Sequence, residues 1–74
     1  MSCKRKIDKT ATGLKLYRLI KKSGMTYAEI ADHLGLQTPR VIYEWTNGRK
    51  LPTIENLYNL AELFNVQMED ILAF

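Results

Sequence analysis

The residues of this chain best suited to chemistry fall in one stretch, Met25 to Lys50, MTYAEIADHLGLQTPRVIYEWTNGRK. Near its end, Ile42 and Trp45 stand at i, i+3 with Val41 adjacent, which turns these three toward a core. Arg40, Tyr43, Glu44 and Asn47 are left on the outer face of the same short helix. A guanidinium, a phenol, a carboxylate and an amide on one face make recognition chemistry: donors and acceptors, with no nucleophile or base among them. A helix polar on one side and apolar on the other could enter a DNA groove. The competing reading pairs Arg40 with Glu44 across one helical turn, so that neither reads anything.

Catalytic readings find no support. Thr10, Thr12, Ser23 and Thr26 have no general base beside them, and Glu69-Asp70 sit where a helix dipole favours acids rather than as an acid/base pair. One Cys and one His exclude a disulfide framework and the usual zinc arrangements. His33 reads as an ordinary surface or boundary residue. No catalytic residue, metal or cofactor is expected, and the chain is not expected to be an enzyme.

The elements that must position the outer face follow from local signals. Thr26-x-x-Glu29 is a capping box that starts the second helix, with Ile30, Ala31 and Leu34 inward. Gly35 ends it, and Leu36 plugs the turn. Thr38 is placed as the next N-cap and Pro39 in the first helical turn, where its missing N–H costs nothing. The third helix then runs over about 39–46 and breaks at Asn47-Gly48, and Arg49-Lys50 charge the loop beyond. A helix, a tight glycine turn and a second helix are the grammar of a helix-turn-helix.

Before this motif, a first helix starts near Thr10 or Thr12, buries Leu16, Leu19 and Ile20, and stops at Ser23-Gly24. Leu14 and Tyr17 widen its buried face. After the motif, Thr53 caps a fourth helix with Ile54, Leu57, Leu60, Ala61 and Phe64 as its apolar face, ending at Asn65. A fifth, short helix from about Gln67 closes the core with Val66, Met68, Ile71 and Leu72. No strand-like alternation is present, so the fold is all-α.

Seventy-four residues form one domain with a small core. Residues 1–9 read as a flexible basic arm carrying an inert, exposed Cys3, and 10–74 as the folded domain. No signal peptide or membrane span is visible, and a reducing cytosol fits best. The net charge of +3 conceals a strong polarity. Residues 1–24 hold eight Lys or Arg against Asp8 alone, whereas residues 51–74 hold four acids and no Lys or Arg. One pole suits a polyanion and the other does not.

These residues resemble the Cro/cI (Xre-type) helix-turn-helix domains of lambdoid phage repressors. The likeness rests on Gly24-Met25-Thr26, Glu29-Ile30-Ala31, Leu34-Gly35-Leu36, Ile42, Trp45, Asn47-Gly48, Pro52, and the closing run from Leu57 to Leu72. It covers roughly residues 12–72, and the segment from Gly35 to Trp45 looks like a bacterial subfamily with a slightly longer turn. The resemblance implies a compact five-helix, lambda-repressor-like bundle whose third helix lies in the major groove. Carried over residue by residue, Pro39, Arg40, Tyr43 and Glu44 take the base-facing positions. Arg40 suits a guanine, Glu44 a cytosine amine, and Tyr43 a thymine methyl or a phosphate. Thr26, Tyr27, Gln37, Thr38, Asn47, Gly48, Arg49 and Lys50 match positions that meet the DNA backbone, with the second helix directing its N-terminal amides at a phosphate.

The chain departs from that pattern in three ways. Tyr27 stands where many members carry Gln. Ile20 and Thr46 stand where many carry an Arg–Glu pair, an exchange that need cost no stability. Pro39 and Glu44 replace the Gln residues often found at base-reading positions, so another member's operator does not transfer to this chain.

The implied function is sequence-specific binding of double-stranded DNA and regulation of transcription, most simply as a repressor. A homodimer on a pseudo-palindromic operator would place two reading helices about one DNA turn apart. The C-terminal run Asp70-Ile71-Leu72-Ala73-Phe74 is the expected dimer surface. The alternative is a protein-interaction module, an antitoxin or anti-repressor, that works through the acidic C-terminal face. No small-molecule ligand or membrane partner is expected, and the setting is the cytoplasm of a bacterium or a phage host.

Overall fold

The computed structural model describes residues 6–74. In chain order these form α1 (Lys9–Ser23), α2 (Tyr27–Leu34), α3 (Arg40–Thr46), α4 (Ile54–Phe64) and a single 3-10 turn, Met68–Asp70. The described residues contain no strand. Among the described residues, no helix is long and apolar enough to cross a membrane. Cys3, Lys4 and Arg5 of the expected arm lie outside the described residues.

Helix α1 starts earlier than either threonine implies. Asp8 is its N-cap, with Oδ1 accepting from the Ala11 amide at 3.0 Å. Thr10 lies inside the helix. Thr12 is 1 % exposed, and its hydroxyl is committed to the far end of the chain. Gly24 closes α1 in the left-handed conformation at φ 74°. Leu16 and Ile20 are buried as the spacing requires. Leu14 and Tyr17, read as widening that face, are exposed instead.

The capping box of α2 forms in full: the Glu29 amide donates to Thr26 Oγ1 at 3.1 Å, and the Thr26 amide donates to Glu29 Oε1 at 2.8 Å. This anchors the Glu29 carboxylate on two Thr26 groups, backbone first and hydroxyl second, and holds its pKa below the ordinary 4.5. In α4, Thr53 Oγ1 accepts from the Asn56 amide at 3.2 Å, and Asn65 ends the helix at φ 56°. Ile54 is not part of the inward face, being 80 % exposed. It lies on the correct stripe, but in the first turn no neighbouring element covers it.

The expected fifth helix is reduced to the one 3-10 turn, leaving four α-helices among the described residues. The reason is visible in the hydrogen bonds. A continuing helix would join the Ala73 amide to the Glu69 carbonyl. Instead the Ala73 amide donates to Thr12 Oγ1 at 2.9 Å, and Lys15 Nζ donates to the Glu69 and Leu72 carbonyls at 3.5 and 2.7 Å. The Asp8 amide donates to the Ala73 carbonyl at 2.8 Å. The C-terminal segment is thereby laced onto α1, while Ile71 completes the core.

Candidate nucleic-acid interface

Helix α3 is set by its rear face. Ile42 is fully buried and Trp45 is 2 % exposed. The helix approaches α1 so closely that a Cβ on Gly13 would lie 2.5 Å from the Trp45 carbonyl oxygen and 2.8 Å from that of Thr46. Gly13 therefore admits the crossing, a role that helical periodicity does not reveal, since any small residue satisfies the pattern. Gly48 is a second close approach: at φ 79°, its missing Cβ would meet the Thr10 Cα at 2.8 Å.

Helix α3 begins at Arg40, one residue later than expected. Pro39 occupies the N-cap position and its carbonyl accepts from the amides of Ile42 and Tyr43 at 3.0 and 3.4 Å. Thr38 is not the N-cap, but its hydroxyl accepts from the Arg40 amide at 3.3 Å. Of the proposed base-facing residues, Arg40 and Tyr43 are exposed, while Pro39 and Glu44 are half-buried. Glu44 does not pair with Arg40. Its carboxylate lies 3.7 Å from Lys50 Nζ, whose side chain is 65 % exposed. Such a surface pair contributes little and exchanges readily.

The proposed backbone contacts border the same face. Thr26, Gln37, Thr38, Asn47, Arg49 and Lys50 are exposed, and Gly48 is half-buried. The amides of Arg49 and Lys50 both donate to the Glu44 carbonyl, at 3.0 and 3.3 Å, which folds this loop back against the end of α3. The Thr26 hydroxyl is occupied by its own helix.

Tyr27 stands apart from this set. It is half-buried, with its ring against Tyr43 at a centroid distance of 4.3 Å and an interplanar angle of 31°. Its hydroxyl donates to Thr46 Oγ1 at 3.4 Å, and Thr46 Oγ1 donates to the Tyr43 carbonyl at 3.1 Å. The missing Arg–Glu pair is thus resolved by division: Ile20 enters the core, and Thr46 turns to Tyr27.

Sequence reasoning overlooked the α1 side of this region. Leu14, Tyr17, Tyr27 and Tyr43, with Thr10, Thr46 and Asn47, line an open cleft of about 480 Å³. Lys21 Nζ lies 5.8 Å from the Tyr17 ring centroid. The available signal was Tyr17 and Lys21 at i, i+4, off the buried stripe.

Comparison with known proteins agrees with this geometry. A helix-turn-helix family model matches residues 14–71. No protein of curated function matches the chain. Among solved structures, the SOS-response transcriptional repressor LexA from Eubacterium rectale superposes with a TM-score of 0.82 at 29 % identity, covering 97 % of this chain and 74 % of that one. The restriction-modification controller protein C.AhdI from Aeromonas hydrophila gives 0.77 at 19 % identity, over 86 % and 91 % of the two chains. The DNA-binding domain of BldD gives 0.73 at 18 % identity, over 89 % and 94 %. With the matched span taking in both helices of the motif and the core behind them, the chain belongs to the helix-turn-helix family of Cro/cI (Xre) type, a family of DNA-binding transcription regulators.

Proposed function

We propose that this protein is a sequence-specific reader of double-stranded DNA that represses transcription in the cytoplasm, with α3 in the major groove. The observation that carries the reading is the division of α3 into a buried rear, Ile42 and Trp45, and an exposed front, Arg40 and Tyr43. Arg40 takes a guanine edge bidentately, and the Tyr43 ring packs on a thymine methyl. Glu44, neutralised by Lys50 outside the complex, accepts from a cytosine amine as Lys50 turns to a phosphate. Pro39 borders the base-facing set. Thr26, Gln37, Thr38, Asn47, Gly48 and Arg49 set the register on the backbone. The basic residues that precede α1, Lys4, Arg5 and Lys6, add phosphate contacts.

The reader acts as a homodimer on a pseudo-palindrome. The C-terminal segment supplies the contact surface: it is laced to α1 by Lys15 and Thr12, and Phe74 at its tip is 59 % exposed. Ile54 and Tyr58, one turn apart and both exposed on α4, are a further apolar pair available to it.

The test is selection of the protein on randomised duplex DNA, followed by titration of the enriched site across a salt series. A two-fold motif with a steep salt slope is expected. Arg40→Ala should cost about 1–3 kcal/mol and relax one base position, whereas Lys50→Ala should weaken all sequences alike and flatten the slope. Binding that never enriches a sequence and is indifferent to Arg40→Ala would overturn the reading in favour of a protein-interaction module.

A further inference from the structure

The backbone-contact role that family likeness assigns to Tyr27 conflicts with where its atoms are. The hydroxyl that would meet a phosphate donates to Thr46 Oγ1 instead. The ring lies against Tyr43, which is 53 % exposed and belongs to the outward face of α3. Tyr27 is half-buried and packs against the core, so its ring is fixed from behind. Thr46 closes the arrangement by joining the Tyr27 hydroxyl to the carbonyl of Tyr43 itself.

We infer that Tyr27 is a positioning residue for base reading rather than a phosphate contact: it holds the Tyr43 ring in the one orientation that meets a thymine methyl. This inference rests on the DNA-reading function proposed above. The physical basis is preorganisation. An exposed tyrosine on a helix surface samples several rotamers, and ordering it on binding costs affinity. The tilted Tyr27–Tyr43 pair removes that freedom before DNA arrives. The benefit appears only at the base pair that Tyr43 touches, so Tyr27 influences specificity without reaching the groove. A phosphate contact would instead strengthen every sequence equally, random duplex included.

The experiment uses the full chain and its selected site, with each thymine replaced in turn by uracil to delete one methyl. In the unaltered protein, one position should show a penalty of about three- to tenfold. Tyr43→Ala should abolish that penalty. Tyr27→Leu, which keeps apolar bulk but no ring, should abolish it too and leave affinity for random duplex unchanged. Tyr27→Phe, which keeps the ring and loses the hydroxyl, should retain it. Thermal melts confirm that each variant folds, and if Tyr27→Leu does not, Tyr27→Met serves in its place. The upfield shift of the Tyr43 ring protons in the free protein reports the stack directly and should vanish with Tyr27→Leu. A uracil penalty that survives Tyr27→Leu, or an affinity for random duplex that falls with it, overturns the inference. So does the absence of any uracil penalty. In each of these cases, a base position relaxed by Arg40→Ala would leave the DNA reading itself standing.

Discussion

Helices α2 and α3 lie on either side of one turn, and they begin differently. At the start of α2, Thr26 and Glu29 exchange side-chain and backbone hydrogen bonds within four residues, which satisfies two amides that the helix leaves without partners. At the start of α3, Pro39 provides no side-chain cap, and only the Thr38 hydroxyl assists from outside. Seven residues are too few to persist as a helix alone. Helix α3 is held from behind by Ile42 and Trp45, from beside by Tyr27, and by the space that Gly13 leaves. The difference teaches where each helix can be broken: α2 at its own first turn, α3 at residues far from it in sequence.

The largest effect should come from removing the rear anchor. Trp45→Ala is expected to cost about 3–5 kcal/mol in a urea melt, a large share of what a domain of this size possesses. A cost under about 1 kcal/mol would show that α3 does not depend on its packing.

Next is Gly13→Ala, which would gain roughly 1 kcal/mol if helix propensity alone decided the outcome. The obstructing atoms are backbone carbonyls at 2.5 and 2.8 Å, which cannot rotate away. Destabilisation of about 1–3 kcal/mol is expected, together with weaker DNA binding as α3 is displaced. A stabilised variant would mean that α1 and α3 can move apart at this crossing at little cost.

Thr26→Ala breaks the local device of α2 and should cost about 1 kcal/mol in the same measurement. Helix α4 is also capped by a threonine, so Thr53→Ala should behave alike there, and equal costs would identify both as ordinary N-caps.

The smallest effect is a pH dependence. The Glu29 carboxyl is held below its ordinary 4.5 by the Thr26 amide and hydroxyl. Between that value and the lower folded one, the unfolded chain binds more protons, so stability rises with pH. The contribution is present above about 4.5 and is lost as pH falls through the folded pKa. Chemical melts between neutral and acidic pH should reveal a small loss that Glu29→Gln removes. An identical pH profile in that variant would assign the acid sensitivity to other carboxylates.

Much of the fold was legible because helix ends are local chemistry. Thr26 with Glu29, Thr53, and the left-handed positions Gly24, Gly35 and Asn65 each act on atoms within a few residues. The inward face of α3 was equally legible from Ile42 and Trp45. Asp8 should have been legible too, as a good N-cap before a helical run, but the surrounding lysines made it look like part of an unstructured arm. The number of helices was misjudged because Met68, Ile71 and Leu72 have spacing that suits a helix and a packed tail alike. At the candidate interface, exposure of Arg40 and Tyr43 followed from periodicity. The partner of Glu44 did not, because Arg40 and Lys50 are both within reach of it.

The sequence by itself determined where α2 and α4 start, where α1, α2 and α4 stop, and which face of α3 is buried, since each of these is settled over one or two helical turns. Only the tertiary structure decided that Gly13 is an obligatory gap, that Thr12 and Lys15 lace down residues 54 to 61 positions away, and that the Tyr27 ring serves as a rest for Tyr43. These depend on which helices cross and how closely. Such distances are set by the packing of the whole core, and no local period of the sequence encodes them.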